Sequence, residues 1–136
     1  MRVLFIEDEP AATSGLLMVL RSAGHTVDVA ESTADAVNML AHEQYDCLVL
    51  DLMLPDVKST QVVDRDAGVV LLRNIRRNAV RDMKTDPKVP VVVTAVSNRA
   101  TLDALLNYPN VRVARKPVDP EDVFGMVTTL ANAQAS

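Results

Sequence analysis

Cysteine is almost missing: Cys47 stands alone, which excludes an internal disulfide. With only His25 and His42 beside it, a zinc site built from thiolates and imidazoles is excluded too. Glycine and proline are scarce, at 4 and 7 residues, too few for a collagen-like or low-complexity chain. Basic charge is in deficit, 14 lysines and arginines against 18 acids, and the net charge of -4 removes the broad attraction behind non-specific nucleic-acid binding. Long apolar runs are lacking as well. The one at the N-terminus, Val3-Leu4-Phe5-Ile6, stops at Glu7, too short for a signal-peptide core or a membrane span. These absences predict a cytoplasmic protein that binds neither nucleic acid directly nor a membrane.

What is present is a globular balance, 49% hydrophobic and 24% charged over 136 residues, enough for one domain and too little for two. That domain is expected over residues 1–130, with 131–136 as a C-terminal tail and no effector domain. Val3 to Ile6, Thr26 to Ala30, Cys47 to Leu50, Pro90 to Ala95 and Val111 to Ala114 read as strands, most of them continuous apolar runs of the kind buried on both faces. Helical spacing separates them. The first helix carries Ala12, Leu16, Val19, Leu20 and Ala23, with Gly24 placed to cap its end. Ser32 to Asp35 is a capping arrangement ahead of Ala36, Val37 and Leu40. A third helix holds Val69, Leu72 and Ile75, a fourth runs from Asn98 to Asn107, and Asp119-Pro120-Glu121-Asp122 opens the last. Five strands alternating with five helices predict an α/β fold, a doubly wound parallel sheet with helices on both faces.

Ligands of open α/β sheets bind outside the carboxyl ends of the strands, and those ends are polar here. Strand one runs into Glu7-Asp8, strand three into Asp51, strand four into Thr94, and Lys116-Pro117 follows strand five. Three carboxylates in one crevice repel each other unless a cation neutralises them, and hard oxygen ligands suit Mg²⁺. In that setting Asp51 is a nucleophile toward phosphorus. Lys116 balances charge on the phosphoryl oxygens and the Thr94 hydroxyl donates a hydrogen bond to one, so the product is an aspartyl phosphate.

These segments resemble the receiver domains of two-component response regulators, including the single-domain chemotaxis regulator. The likeness rests on Val3-Leu4-Phe5-Ile6-Glu7-Asp8-Glu9-Pro10, on Asp46 through Asp51 to Asp56, on Pro90-Val91-Val92-Val93-Thr94-Ala95 and on Lys116-Pro117, spread over nearly the whole chain. It implies a flavodoxin-like strand order, 2-1-3-4-5. It further implies Asp51 as phosphoacceptor, Asp8 and Asp51 as Mg²⁺ ligands with the Met53 backbone carbonyl, Glu7 as a ligand through water, and Thr94 and Lys116 as the switch hydroxyl and phosphate-contacting lysine. The implied donor is a histidine kinase or phosphotransfer protein, and the implied outcome is altered binding of an output protein that the sequence does not name. Such a chain catalyses only its own modification. A receiver-like interaction module that works without phosphorylation is the alternative.

The pattern departs from that family in three places. The first glycine after Asp51 is Gly68, so Val57 to Asp66 reads as inserted, either a lid or docking loop or a tolerated surface excursion. Val113 stands where the family has the aromatic half of its switch; Tyr108 is either a substitute or structural, and movement of Thr94 is otherwise read out by the inserted loop. Met53 and Val96, two positions after the acceptor and after the hydroxyl, are apolar and cannot orient an attacking water, which predicts a long-lived phosphorylated state. Arg73, Arg76, Arg77 and Arg81 share a predicted helix face, open to an acidic partner or simply to solvent. Other uses of the fold find no support: a Gly-x-Gly-x-x-Gly turn is missing after strand one, and Met53 occupies the place of the second acid that an aspartate-nucleophile phosphatase needs.

Overall fold

The computed structural model describes residues 1–8, 14–52, 54–55, 63–64, 67–95, 103, 105–115 and 119–135. Its strands are β1 (Arg2–Ile6), β2 (Thr26–Ala30), β3 (Cys47–Asp51), β4 (Leu54–Pro55), β5 (Val63–Asp64), β6 (Val91–Ala95) and β7 (Val111–Arg115). Its helices are α1 (Ser14–Ser22), α2 (Thr33–His42), α3 (Ala67–Arg76) and α4 (Pro120–Ala135). Local chemistry sets their ends. Gly24 adopts φ 91° after α1, and the amides of Gly24 and His25 return to the carbonyls of Arg21 and Leu20, a Schellman stop. Ser32 caps α2 by accepting from the Asp35 amide at 3.1 Å. Asp119 does the same for α4, with Pro120 at the first helical position and Glu121 and Asp122 in the first turn.

Five strands form one parallel sheet in the order β2-β1-β3-β6-β7, which is 2-1-3-4-5 when only this sheet is counted. Alternation along each strand divides the core in two. Leu4, Ile6, Leu48, Leu50, Val91 and Val93 pack with Ala36 and Leu40 of α2 and with Leu71, Leu72 and Ile75 of α3. Val3, Phe5, Cys47, Val49 and Val92 pack on the other face with Leu16, Leu17 and Leu20 of α1 and with Val123, Val127 and Leu130 of α4. Helices therefore cover both faces of the sheet. Burying each large aliphatic side chain contributes about 1.5–3 kcal/mol, so both layers are needed to hold the sheet. No helix among the described residues is long and apolar enough to cross a membrane.

Two details differ from the sequence reading, and a third lies mostly outside the described residues. The stretch expected as a tail is helical as far as Ala135, in keeping with the high helix propensity of its alanines and glutamine. The predicted fourth helix lies mostly outside the described residues, of which Asp103, Leu105 and Leu106 are helical. Helix α3 ends at Arg76, because Asn78 at φ 56° turns the chain and the Ala79 amide returns to the Asn74 carbonyl. Arg81 is therefore not on that helix. Arg76 donates to the carbonyls of Pro87 and Pro109 at 2.9 and 3.1 Å, tying two connections to α3.

Candidate functional site: an acidic cluster at the carboxyl edge of the sheet

Parallel pairing of β1 with β3 and of β3 with β6 brings the ends of all three strands together. Ile6 faces Leu50 and Asp51 faces Thr94 in register. Period-two alternation then decides direction: Glu7, Asp51 and Thr94 each fall two residues beyond Phe5, Val49 and Val92, on the parity of the α1–α4 layer. Apolar packing stops there and polar groups begin. Glu7, Asp51 and Thr94 are nonetheless buried, while Asp8 is half-buried. One carboxylate oxygen each from Glu7, Asp8 and Asp51 lies within 4.8 Å of the others, a spacing that can hold a metal ion. All three donors are hard oxygens, with no thiolate or imidazole in the group, and this suits Mg²⁺ better than zinc or copper.

The backbone around Asp51 is fixed from both sides. The Glu7 amide donates to the Ala30 carbonyl at 2.9 Å, which continues the sheet one step past β1. Leu52, just after Asp51, donates its N–H to the Thr94 carbonyl at 3.2 Å and accepts from the Gly68 amide at 3.1 Å. Its side chain is buried. Gly68, in the first turn of α3, presses against the Asp51–Leu52 backbone so closely that a Cβ there would stand 2.5 Å from the Leu52 Cα. A sequence reading notes Gly68 only as a displaced glycine. The available signal is a glycine inside a helical apolar pattern, which costs about 1 kcal/mol against alanine and so points to a close approach.

The chain leaves Leu52 and comes back through a small antiparallel pair, with Leu54 opposite Asp64 and Pro55 opposite Val63. Of the segment read as inserted, Val57 to Asp66, only Val63 and Asp64 are described, and they form β5; the rest of that segment lies outside the described residues. Met53, Val96, Lys116 and Pro117 lie outside the described residues. Tyr108 and Val113, both partly buried, pack against the core layer of α2 and α3, and no aromatic ring stands at position 113. A separate cleft of about 660 Å³ opens at the opposite end of the sheet, lined by His25, Tyr45, Asp46, Asp86 and Phe124 among others. It carries none of the groups that converge on Asp51.

The sequence model of the response regulator receiver domain matches residues 3–128. The transcriptional regulatory protein TcrA of Mycobacterium tuberculosis is 41% identical over 64 residues, which is 47% of this chain and 25% of that protein. This chain therefore spans about a quarter of the length of that relative. Among solved structures, a Francisella response regulator receiver domain superposes with a TM-score of 0.77 at 18% identity, over 98% of both chains. A two-component response regulator from Clostridium difficile gives 0.77 at 21% identity over 100% of this chain and 99% of that one. At such identities the structural likeness speaks for the fold, which is the CheY-like arrangement. The match over residues 3–128, on a sheet whose carboxyl edge gathers Glu7, Asp8 and Asp51, places this chain in the family of receiver domains of two-component response regulators.

Proposed function

We propose that this receiver domain is a phosphorylation-controlled switch whose acceptor is Asp51. The observation that carries this reading is the approach of the Glu7, Asp8 and Asp51 carboxylates to within 4.8 Å, with Thr94 in register beside Asp51. The Asp51 carboxylate oxygen attacks phosphorus and forms an O–P bond. The bond from phosphorus to the donor breaks, P–N in a phosphohistidine or P–O in acetyl phosphate, and its electron pair leaves with the imidazole or the acetate. Thr94 donates a hydrogen bond to a phosphoryl oxygen. Lys116, which follows the strand next to β6 in the sheet, offers a second positive charge.

Asp8 and Asp51 are assigned as direct Mg²⁺ ligands with the Met53 carbonyl, and Glu7 as a ligand through water. When bound, the ion neutralises the carboxylates and the developing phosphoryl charge. The chain acts on itself alone, in the cytoplasm, and takes its phosphoryl group from a histidine kinase or phosphotransfer protein. Its output is altered binding of a partner protein. The relatives are transcriptional regulators by name, which supports a role in signalling to an output domain, with no direct contact between this acidic domain and nucleic acid.

Intact-mass measurement after incubation with acetyl phosphate tests the proposal. One phosphoryl group is gained in the presence of Mg²⁺, none in its absence, and none by an Asp51→Asn chain. A chain that binds Mg²⁺ and gains nothing is a phosphorylation-independent interaction module instead. Val113, partly buried against the core where a switch aromatic would stand, is what favours that second reading.

A further inference from the structure

We propose that Gly68 is a positioning residue for the acceptor end of β3, an inference that rests on the function proposed above. A Cβ at position 68 would meet the Leu52 Cα at 2.5 Å and the carbonyl oxygens of Asp51 and Leu52 at 2.8 Å each. All three are backbone atoms, so no side chain can rotate out of the way. Neither wall is soft. On one side the Leu52 peptide is pinned by its bonds to Thr94 and Gly68 and by its buried side chain. On the other, α3 is anchored by Leu71, Leu72 and Ile75, each buried in the core. An added methyl group must therefore be absorbed partly by the Asp51–Leu52 peptide itself, the unit that aims the Asp51 carboxylate at Glu7 and Asp8 and leads directly into Met53.

The missing Cβ thus lets α3 seat on the acceptor end of β3 and hold it from outside the sheet. Gly125 is the built-in control, since its Cβ would meet nothing within 4 Å.

The test compares wild-type, Gly68→Ala and Gly125→Ala chains by two readouts. One is the Mg²⁺ dissociation constant from amide chemical-shift titration without any phosphoryl donor. The other is the initial rate of phosphoryl uptake from acetyl phosphate at saturating Mg²⁺. Misplacing a reacting group by about 1 Å can cost on the order of 100-fold. Gly68→Ala is accordingly expected to lower the rate by about 10-fold or more and to weaken Mg²⁺ binding several-fold, while Gly125→Ala leaves both unchanged. A Gly68→Ala chain that melts earlier but keeps both values overturns the proposal, because a purely structural contact predicts that outcome. Should the alanine chain not fold, the wild-type titration decides. The Gly68 amide is expected to shift with the same midpoint as that of Leu52, and a Gly68 amide that stays still overturns the coupling. A wild-type chain that binds Mg²⁺ yet takes up no phosphoryl group refutes the proposed function alone; the Mg²⁺ affinities then still judge Gly68.

Discussion

Thr85→Val is a nearly isosteric change that isolates one buried junction. Thr85 lies in the connection between α3 and β6, with a side chain only 1% exposed, so water cannot replace what its hydroxyl does. Its Oγ1 accepts from the Tyr45 amide at 3.1 Å and donates to the Glu43 carbonyl at 2.7 Å. Its own amide and that of Lys84 donate to the Leu40 carbonyl, so one residue closes the end of α2 and the entry to β3. Valine keeps the shape and orphans both partners. A buried polar group left unsatisfied costs about 1–3 kcal/mol, and the Glu43 carbonyl, nearer the surface, belongs at the low end. The net loss expected is about 2–3 kcal/mol in urea unfolding. Thr85→Ser keeps both bonds and removes one methyl group, which costs about 0.8 kcal/mol. A valine variant within about 0.5 kcal/mol of wild type, or no worse than the serine variant, would refute the reasoning that these bonds are satisfied only by Thr85.

Three further predictions concern other places. Burial pushes the Cys47 thiol up to about 12, the Asp46 charge adding to this and the hydrogen bond to Leu48 opposing it. The folded chain is therefore expected to resist an aromatic disulfide reagent at neutral pH and to react fully once denatured; equal rates in the two states contradict the buried placement. Burial, and then the Met1 ammonium 3.2 Å from Nδ1, hold the His25 pKa below its usual 6.5. The unfolded chain then binds the proton more readily, so His25's contribution is intact above 6.5 and declines as pH falls through that value. His25→Asn should flatten this part of the pH profile of urea midpoints, and an unaltered slope argues against it. If Met53 and Val96 leave the acyl phosphate without a water-orienting group, the Met53→Asn, Val96→Glu chain loses its phosphoryl group faster than wild type. An unchanged half-life by intact mass rejects that idea.

Strands buried on both faces write themselves into sequence as apolar runs, which is why β1, β3 and β6 were legible to within a residue. Caps were legible for a similar reason: Ser32, Asp119 and Gly24 each carry the side chain, or lack of one, that a helix end requires. The acidic cluster followed from reading strand ends together. Pairing of β4 with β5 was not legible, because two-residue strands leave no periodicity to detect. Thr85 was invisible since its partners are backbone groups some 40 positions away. Gly68 was visible as a letter but not as a contact, and only the seating of α3 on Leu52 gives it meaning. Arg81 was placed on α3 because that helix was read too long: the turn at Asn78 ends α3 before it.

The most direct measurement is to locate the modification chemically. Borohydride reduces an aspartyl phosphate to homoserine, so peptide mass spectrometry after treatment with acetyl phosphate and Mg²⁺ reads the acceptor at single-residue level. Homoserine is expected at position 51, dependent on Mg²⁺ and absent when Asp8 is replaced by asparagine. Phosphoryl uptake that leaves Asp51 unreduced, or places homoserine at position 8 instead, would contradict the assignment of Asp51 as the acceptor at the carboxyl edge of this sheet.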